Sequence, residues 1–373
     1  MFYRGLMTSY IWVIKMLHSL KKFKFLGSRT LKTGISVFLT ALICGFFNLP
    51  IIFAVITAIV TIEHTAADSI KKAAVRFPAS AIGALLATTF YGLLGKGALT
   101  FALVAMVTIA VCHKLKLDDG ILVATITATA MIPDFQDQYV VSFFTRLGTT
   151  SIGIIISTFV NFFLLPPNYS PMIYKNINGL YNHAGLLLKR IISEVTAESK
   201  EKTRAIQRSY RQLTAHLEKT NQLSQYQREE WKYHRHSEEE MVAFQLSQRK
   251  LAAFQQIAYH LGNLQYVQTK ASDFTNEEKE LLLALTEEFT HVLSDPTHSI
   301  NENQFEMVNK LDDAFWKWKE DHVVKQTGYR HHLPPQTILI YELLCFHDVL
   351  EELQNLSEKQ EQLVKKCYLP DQS

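Results

Sequence analysis

Two long stretches of this 373-residue chain contain no charged side chain, and they constrain the fold more than any other feature. The residues from Thr33 to Ile62 include no Asp, Glu, Lys or Arg, and neither do those from Leu147 to Tyr169. Between Phe77 and Cys112 the only formal charge is that of Lys96. A helix that spans the ~30 Å hydrocarbon core of a bilayer needs about 20 apolar residues. The sequence therefore predicts an integral membrane protein.

The distribution of charge divides the chain near the prolines at 166 and 167. Residues 1–169 carry 14 of the 38 Lys and Arg and 6 of the 35 Asp and Glu, whereas residues 170–373 carry 24 and 29. The local balances are thus +8 and −5. We expect an all-α protein with a basic N-terminal segment (1–28), a membrane domain (29–167) and a water-soluble helical bundle (168–373).

The apolar segments predict six membrane spans. The stretch from Thr33 to Ile62 is too long for one crossing, so we expect two helices that turn at Asn48-Leu49-Pro50. Arg29 and Lys32 would then reach the membrane surface beside the first helix. The other predicted spans are Phe77–Gly95, Ala98–Cys112, Gly120–Ile132 and Val140–Leu165, with a turn at Gly95-Lys96-Gly97.

The basic residues predict the orientation of this bundle. Seven precede residue 33, three lie in 63–76 and two in 113–119, all on one side of a six-span arrangement. Lys96 alone would face the other side, and Arg146 would lie inside a span. Because loops rich in Lys and Arg stay in the cytoplasm, we expect a multi-pass plasma-membrane protein with cytoplasmic N and C termini. The 168–373 domain would then also be cytoplasmic.

A short pattern occurs twice, as Arg76-Phe-Pro-Ala-Ser-Ala-Ile-Gly83 at the start of the third predicted span and Arg146-Leu-Gly-Thr-Thr-Ser-Ile-Gly153 at the start of the sixth. Both copies have the form Arg-x3-[Ser/Thr]-x-Ile-Gly. Their helices would cross in opposite directions, as in a three-plus-three inverted repeat. Small residues beside each arginine would let these helices pack closely.

The position of Arg146 within a span admits two interpretations. Because desolvating a guanidinium costs a few kcal/mol, an intramembrane arginine indicates an anion, a partner or a water-filled cavity. Alternatively, Arg146 reaches the outer surface or caps a neighbouring helix. Arg76 is, in the same way, either functional or an ordinary anchoring charge at the inner surface.

Several segments together resemble the bacterial aromatic acid exporter family, which belongs to the fusaric-acid-resistance-like superfamily. The segments that carry the resemblance are Gly27–Gly34, Thr57–Thr65, the Arg76 motif, Asp118–Ala124, Asn161–Tyr169 and Ile340-Tyr-Glu-Leu-Leu. Plant aluminium-activated malate transporters show a similar pair of arginines in their third and sixth spans. The resemblance implies a half-size exporter of small organic anions, with aromatic carboxylic acids as the substrate class. Since larger members carry two such halves, it also implies a homodimer or higher homo-oligomer.

We therefore expect Arg146 and Arg76 to attract the anion, with Thr150, Ser80 and Thr127 beside its path. The threonines of the fifth span either line that path or bond to the carbonyl one turn earlier. Glu63 and His64, at the end of the second span, are candidates for proton coupling. The favoured alternative is a solvated helix end with a salt bridge from Glu63 to Lys71 or Arg76.

The sequence of the soluble half predicts helices and contains no motif of a catalytic or metal site. Leu339, Leu343, Phe346, Leu350 and Leu353 recur at helical spacing, and the mixed charges of 198–240 are expected on solvated faces. No carboxylate or Cys stands at ligand spacing around His234, His236, His331 and His332, and the four cysteines share no such spacing either. We expect no metal, no cofactor, no enzymatic activity and, from the acidic balance, no nucleic-acid partner.

The function and the start of the chain each admit an alternative. The chain is alternatively a membrane-anchored scaffold that does not transport and whose helical domain recruits a partner. No cleavable signal peptide is expected, because the apolar stretch at Tyr10–Ile14 is short and leads into lysines. Met16 is an alternative start to Met1.

Overall fold

The computed structural model describes residues 27–132, 139–164, 166–196, 203–267, 269, 271–325 and 334–368. Within these ranges all regular secondary structure is helical, which confirms the all-α fold class. The chain forms two compact units. The first contains the described residues up to Pro167 together with Arg228–His234, and the second contains the described parts of 168–227 and 235–373.

The described residues of the first unit up to Pro167 form six α-helices. They are α1 (Ser28–Phe46), α2 (Ile51–Thr61), α3 (Ala66–Leu94), α4 (Ala98–Lys114), α5 (Ile121–Met131) and α6 (Tyr139–Phe163). The predicted turn between α1 and α2 is confirmed, with Asn48 at a φ of 50° and Pro50 directly before α2. The predicted turn before α4 is confirmed as well, because Gly95 has a φ of 66° that favours glycine.

Three of these helices contain segments long and apolar enough to cross a membrane, namely Arg29–Phe46, Ala66–Leu94 and Val140–Phe163. The apolar helices α2 and α4 are shorter, with 11 and 17 residues, and α5 has 11. At 1.5 Å per residue, an 11-residue helix is only about 16 Å long. The three long helices indicate a membrane protein, while six crossings stay a prediction.

The third helix begins earlier than the predicted start at Phe77. Thr65 caps α3, because its side-chain oxygen accepts a hydrogen bond of 3.1 Å from the N–H of Asp68. Residues 66–76 are therefore helical, and Arg76 lies within α3 rather than at its start. The charges of Asp68, Lys71 and Lys72 mark a polar stretch of this helix and not a loop.

The packing of the six helices has an internal correspondence. Helix α3 packs on α5, and α6 packs on α2. Helix α1 packs on α2 and α6, and in the same way α4 packs on α5 and α3. When α1, α2 and α3 are replaced by α4, α5 and α6, and the reverse, each of these packed pairs becomes another packed pair. This is the pattern expected of a three-plus-three inverted repeat.

The glycine of each repeated motif lies at one of these crossings. A Cβ atom on Gly153 would lie 2.5 Å from the carbonyl oxygen of Ala54 on α2, and one on Gly83 would overlap the carbonyl oxygen of Ala124 on α5. The two glycines are 70 positions apart in the sequence, and so are the two alanines. The correspondence therefore extends from whole helices to individual contacts.

The second unit is a helical bundle. It contains α7 (Ser170–Thr196), α8 (Thr203–Glu230, as far as Gln227), α9 (Glu238–Leu264), α10 (Asn276–Ser294), α11 (Glu302–Lys325) and α12 (Pro335–Tyr368). Helix α7 packs on α9 and α10, and α12 packs on α9 and α11. The predicted apolar stripe of α12 is confirmed, because Leu339, Leu343, Phe346, Leu350 and Leu353 are each at most 1% exposed.

Candidate functional site

Arg146 lies inside the first unit. It is the eighth residue of α6, and only 4% of its surface is exposed. Its guanidinium carbon lies 3.7 Å from the centroid of the Phe53 ring on α2. At this distance the negative face of the ring attracts the cation. The interpretation in which Arg146 reaches the surface is therefore wrong, and its charge lies buried against an aromatic side chain.

Arg76 is buried as well, but its charge is compensated by a carboxylate. Its Nε donates to the carbonyl oxygen of Asp119 at 3.2 Å, and its Nη1 donates to that of Thr61 at 3.4 Å. Its Nη2 forms an ion pair with Oε1 of Glu63. Both side chains of this pair are at most 10% exposed. The predicted salt bridge from Glu63 to Arg76 is thus confirmed.

Glu63 and His64 occupy different surroundings. The second carboxylate oxygen of Glu63 accepts a hydrogen bond of 3.0 Å from Nζ of Lys72, rather than from Lys71. With its side chain 10% exposed, Glu63 does not form the solvated helix end that the sequence favoured. His64 is exposed, and its Nε2 lies 3.5 Å from Nη1 of Arg29.

The hydroxyl groups predicted beside the anion path are all buried. Ser80 on α3 donates to the hydroxyl oxygen of Thr127 on α5 at 3.2 Å, so these two residues tie their helices together. Two other threonines of α5 donate to carbonyl oxygens one turn earlier. Thr150 lies one turn after Arg146, and its hydroxyl has no hydrogen-bond partner among the residues that the structure describes.

The structure places the two arginines at different depths in the bundle. Arg146 contacts Phe53 near the start of α2, whereas Arg76 contacts the carbonyl group of Thr61 at its end. Eight positions separate these contacts on α2, which corresponds to about 12 Å along a helix. The arginines therefore do not form one joint binding site but two buried positive positions along the bundle.

Lys32 is a third buried cation, which sequence reasoning placed at the membrane surface. It is 3% exposed, and its Nζ donates to Oδ1 of Asn161 on α6 at 2.8 Å. The Asn161 amide nitrogen donates in turn to the hydroxyl of Ser69 at 2.6 Å and to the carbonyl oxygen of Thr65 at 3.0 Å. Residues four positions apart lie on the same face of a helix. Lys32 shares such a buried face of α1 with Ser36, Thr40 and Cys44.

Glu230 is a buried carboxylate at the same end of the first unit. Its Oε2 accepts a hydrogen bond of 2.9 Å from the N–H of Ala66, the first residue of α3, and the residue is 1% exposed. Burial raises the pKa of Glu230, while the Ala66 N–H, His234 and Lys32 act in the opposite direction. The expectation that the charges of 198–240 lie on solvated faces is therefore wrong for Glu230.

His234 holds Glu230 against α6. Its Nε2 lies 3.0 Å from the carbonyl oxygen of Phe162, and its Nδ1 lies 3.0 Å from Oε1 of Glu230. Among the described residues, no three His, Cys, Asp or Glu side chains lie close enough together to hold a metal ion. His331 and His332 lie outside those residues.

Comparisons with known proteins match the six helices of the first unit to a membrane-protein family. Residues 24–164 match the family described as aromatic acid exporter family member 1. A UPF0421 protein of Bacillus cereus (strain ATCC 10987 / NRS 248) is 45% identical over 349 residues, which cover 92% of this chain and 97% of that protein. A UPF0421 protein of Halalkalibacterium halodurans is 38% identical over 349 residues, or 93% and 94% of the two chains. The chain thus belongs with the UPF0421 proteins along its length, and its residues 24–164 place it in the aromatic acid exporter family.

Proposed function

We propose that the protein is an exporter or channel for small organic anions, with aromatic carboxylic acids as the substrate class. In this proposal it crosses the plasma membrane six times, has both termini in the cytoplasm and works as a homodimer or higher homo-oligomer. Membership of an exporter family supports transport rather than an enzymatic reaction. The substrate class comes from the name of that family and from the chemistry around Arg146.

The observation that carries this proposal is the burial of Arg146 against the Phe53 ring within apolar helices. An aromatic carboxylate presents one negative charge and one ring. A guanidinium binds the carboxylate by charge-assisted hydrogen bonds, and a neighbouring aromatic side chain offers a surface for the ring. Both groups are already together at one position between α2 and α6.

Buried hydroxyl groups support a polar path through the bundle. In the first unit five of them lack a hydrogen-bond partner among the described residues: Ser36, Thr40, Thr108, Thr150 and Thr158. Because a buried hydroxyl without a partner is costly, each is suited to bind water or a passing anion.

Flux of labelled benzoate in proteoliposomes containing the full chain tests this proposal. In Arg146→Gln the flux should fall at least about tenfold, because a lost hydrogen bond to a charged group is worth roughly 1.5–3 kcal/mol. Arg146→Lys keeps the charge and should retain part of the flux. Lys96→Gln removes an exposed cation at the turn before α4 and should leave the flux unchanged.

Two outcomes would contradict the proposal. Unchanged flux in a folded Arg146→Gln protein would remove Arg146 from the anion path. Absence of flux of any aromatic carboxylate in the unsubstituted protein would favour the membrane-anchored scaffold, which predicts a stable complex between residues 168–373 and a partner.

A further inference from the structure

The hydrogen atoms of the His234 ring follow from its two contacts. Nε2 lies 3.0 Å from the carbonyl oxygen of Phe162, and because a carbonyl oxygen only accepts, Nε2 must carry a hydrogen. A neutral ring with its hydrogen on Nε2 presents a lone pair at Nδ1. That atom lies 3.0 Å from Oε1 of Glu230, which also presents lone pairs when it is ionised. The two atoms therefore repel each other unless the pair holds one more proton.

Nδ1 and Oε1 therefore attract each other only while a proton lies on one of them. An imidazolium beside a carboxylate provides that attraction. The Glu230 side chain is 2% exposed and the His234 side chain 22% exposed, so water screens the pair weakly.

The charged groups around the pair come from several elements. Lys32 on α1 acts on Glu230 through space. Before α3, Glu63 is paired with Arg76 and Lys72. On the segment of the pair itself, Glu229 and Lys232 form an exposed ion pair of 2.6 Å. Lys32 is thus the buried cation whose positive potential is offset by the charge of the Glu230–His234 pair.

We propose that Glu230 and His234 together bind one proton beside Lys32, and that this proton regulates anion transport. The proposal rests on the anion transport proposed above and names a proton site other than Glu63 and His64. When the pair holds its proton, it is neutral overall and Lys32 contributes a charge of +1 at this end of the bundle. When the proton leaves, the pair carries −1 and cancels Lys32.

The sign of the pH dependence follows from this charge balance. Loss of the proton as the pH rises removes positive potential from the anion path, so the flux should fall with rising pH. The same loss turns the contact between Nδ1 and Oε1 from attractive to repulsive. It should therefore also weaken the hydrogen bond from the Ala66 N–H to Glu230.

A measurement that needs no transport tests the proton site directly. Hydrogen–deuterium exchange of the peptide containing Ala66, in the purified full chain, is compared at about pH 6 and about pH 8, on either side of the usual imidazole titration. After correction for the intrinsic rates, Ala66 should exchange faster at the higher pH. His234→Gln should remove the difference between the two pH values. His113→Gln alters an exposed histidine paired with Asp118 and should preserve it. Equal protection of Ala66 at both values would overturn the proposal.

Flux of labelled benzoate over the same pH range tests the regulation of transport. From about pH 6 to about pH 8, the flux of the unsubstituted protein and of His113→Gln should fall roughly threefold or more, as expected for the change of one nearby charge. His234→Gln should show a flat profile. An unaltered profile in His234→Gln, or a flat profile only in His64→Gln, would overturn the proposal. If no protein shows flux, the proposed function fails, while the exchange measurement still decides whether the proton site exists.

Discussion

Three buried cations of the first unit each have a different kind of partner. Lys32 donates to the amide oxygen of Asn161, Arg76 pairs with a carboxylate, and Arg146 lies over an aromatic ring. The amide and the ring carry no formal charge, whereas the carboxylate of Glu63 does, and that carboxylate also accepts a hydrogen bond from Lys72. The contacts therefore differ in kind, although all three cations carry the same formal charge.

Removing the Asn161 side chain should destabilise the first unit. In Asn161→Ala the buried ammonium of Lys32 loses its acceptor, and the hydroxyl of Ser69 loses its donor. We expect a loss of about 2 kcal/mol or more in the free energy of unfolding, measured as a lower thermal midpoint in detergent. The double variant Lys32→Met/Asn161→Leu should be less destabilised, because it leaves no unpaired buried charge. Equal midpoints for Asn161→Ala and the unsubstituted chain would contradict the role of this bond.

The pair of Arg76 and Glu63 should behave as one unit in a double-mutant cycle. Glu63→Gln leaves two cations, Arg76 and Lys72, facing a neutral amide, so we expect it to be more destabilising than Glu63→Gln/Arg76→Gln. The control Lys71→Gln removes an exposed charge and should shift stability by at most about 0.5 kcal/mol. Thermal midpoints that add independently would show that the two side chains do not interact.

At the scale of the helices, close approach depends on glycine. Helix α6 crosses α2 at Gly153, and α3 crosses α5 at Gly83, in both cases against the carbonyl oxygen of an alanine. Gly148 on α6 and Gly92 on α3 have open space where a Cβ would lie. The same residue type thus serves a crossing at one position and imposes no packing constraint at another.

This difference predicts opposite effects for matched substitutions. Gly153→Ala should destabilise the protein by roughly 1–3 kcal/mol, because its Cβ would collide with the α2 backbone. Gly148→Ala, on the same helix, should be neutral or stabilising by up to about 1 kcal/mol, since alanine favours helix. Thermal unfolding of both variants in detergent checks this. A loss of stability of equal size in both would contradict the role of the crossing, because helix propensity favours alanine at both positions.

For the whole molecule, the main structural result is the correspondence between α1–α3 and α4–α6. Each packed pair of helices in one set has its counterpart in the other, and the two glycine crossings follow the same 70-residue offset. An inverted repeat places equivalent contacts on opposite sides of the membrane midplane. Arg76 and Arg146, which are equivalent positions in the two sets, lie at different depths along α2, as such a repeat would place them.

The six-span topology predicts which positions face the outside of the cell. In a chain without its natural cysteines, Gly97→Cys and Gln136→Cys should react with a membrane-impermeant thiol reagent added to intact cells. Asp118→Cys, on the predicted cytoplasmic side, should react only after the cells are opened. Labelling of Asp118→Cys from the outside would refute the predicted topology.

Much of the fold was evident from local sequence. Charge-free stretches predicted the apolar helices, and Asn48–Pro50 and Gly95–Gly97 predicted the turns between them. The start of α3 was missed, because charge marks where a helix leaves the apolar stretch and not where its hydrogen bonds begin. Of the candidate site, the burial of Arg146 and the bridge from Arg76 to Glu63 agree with what its motifs suggested.

The sequence by itself determined that this chain has apolar helices, a family and two conspicuous arginines, because these properties depend on composition and spacing within a few turns. Only the tertiary structure decided that Lys32 points inward to Asn161, 129 positions away, and that Glu230 binds the N–H of Ala66 across 164 positions. Such partners depend on how distant helices pack. For a buried charge, the partner decides whether the group is a structural contact, an anion site or a proton site.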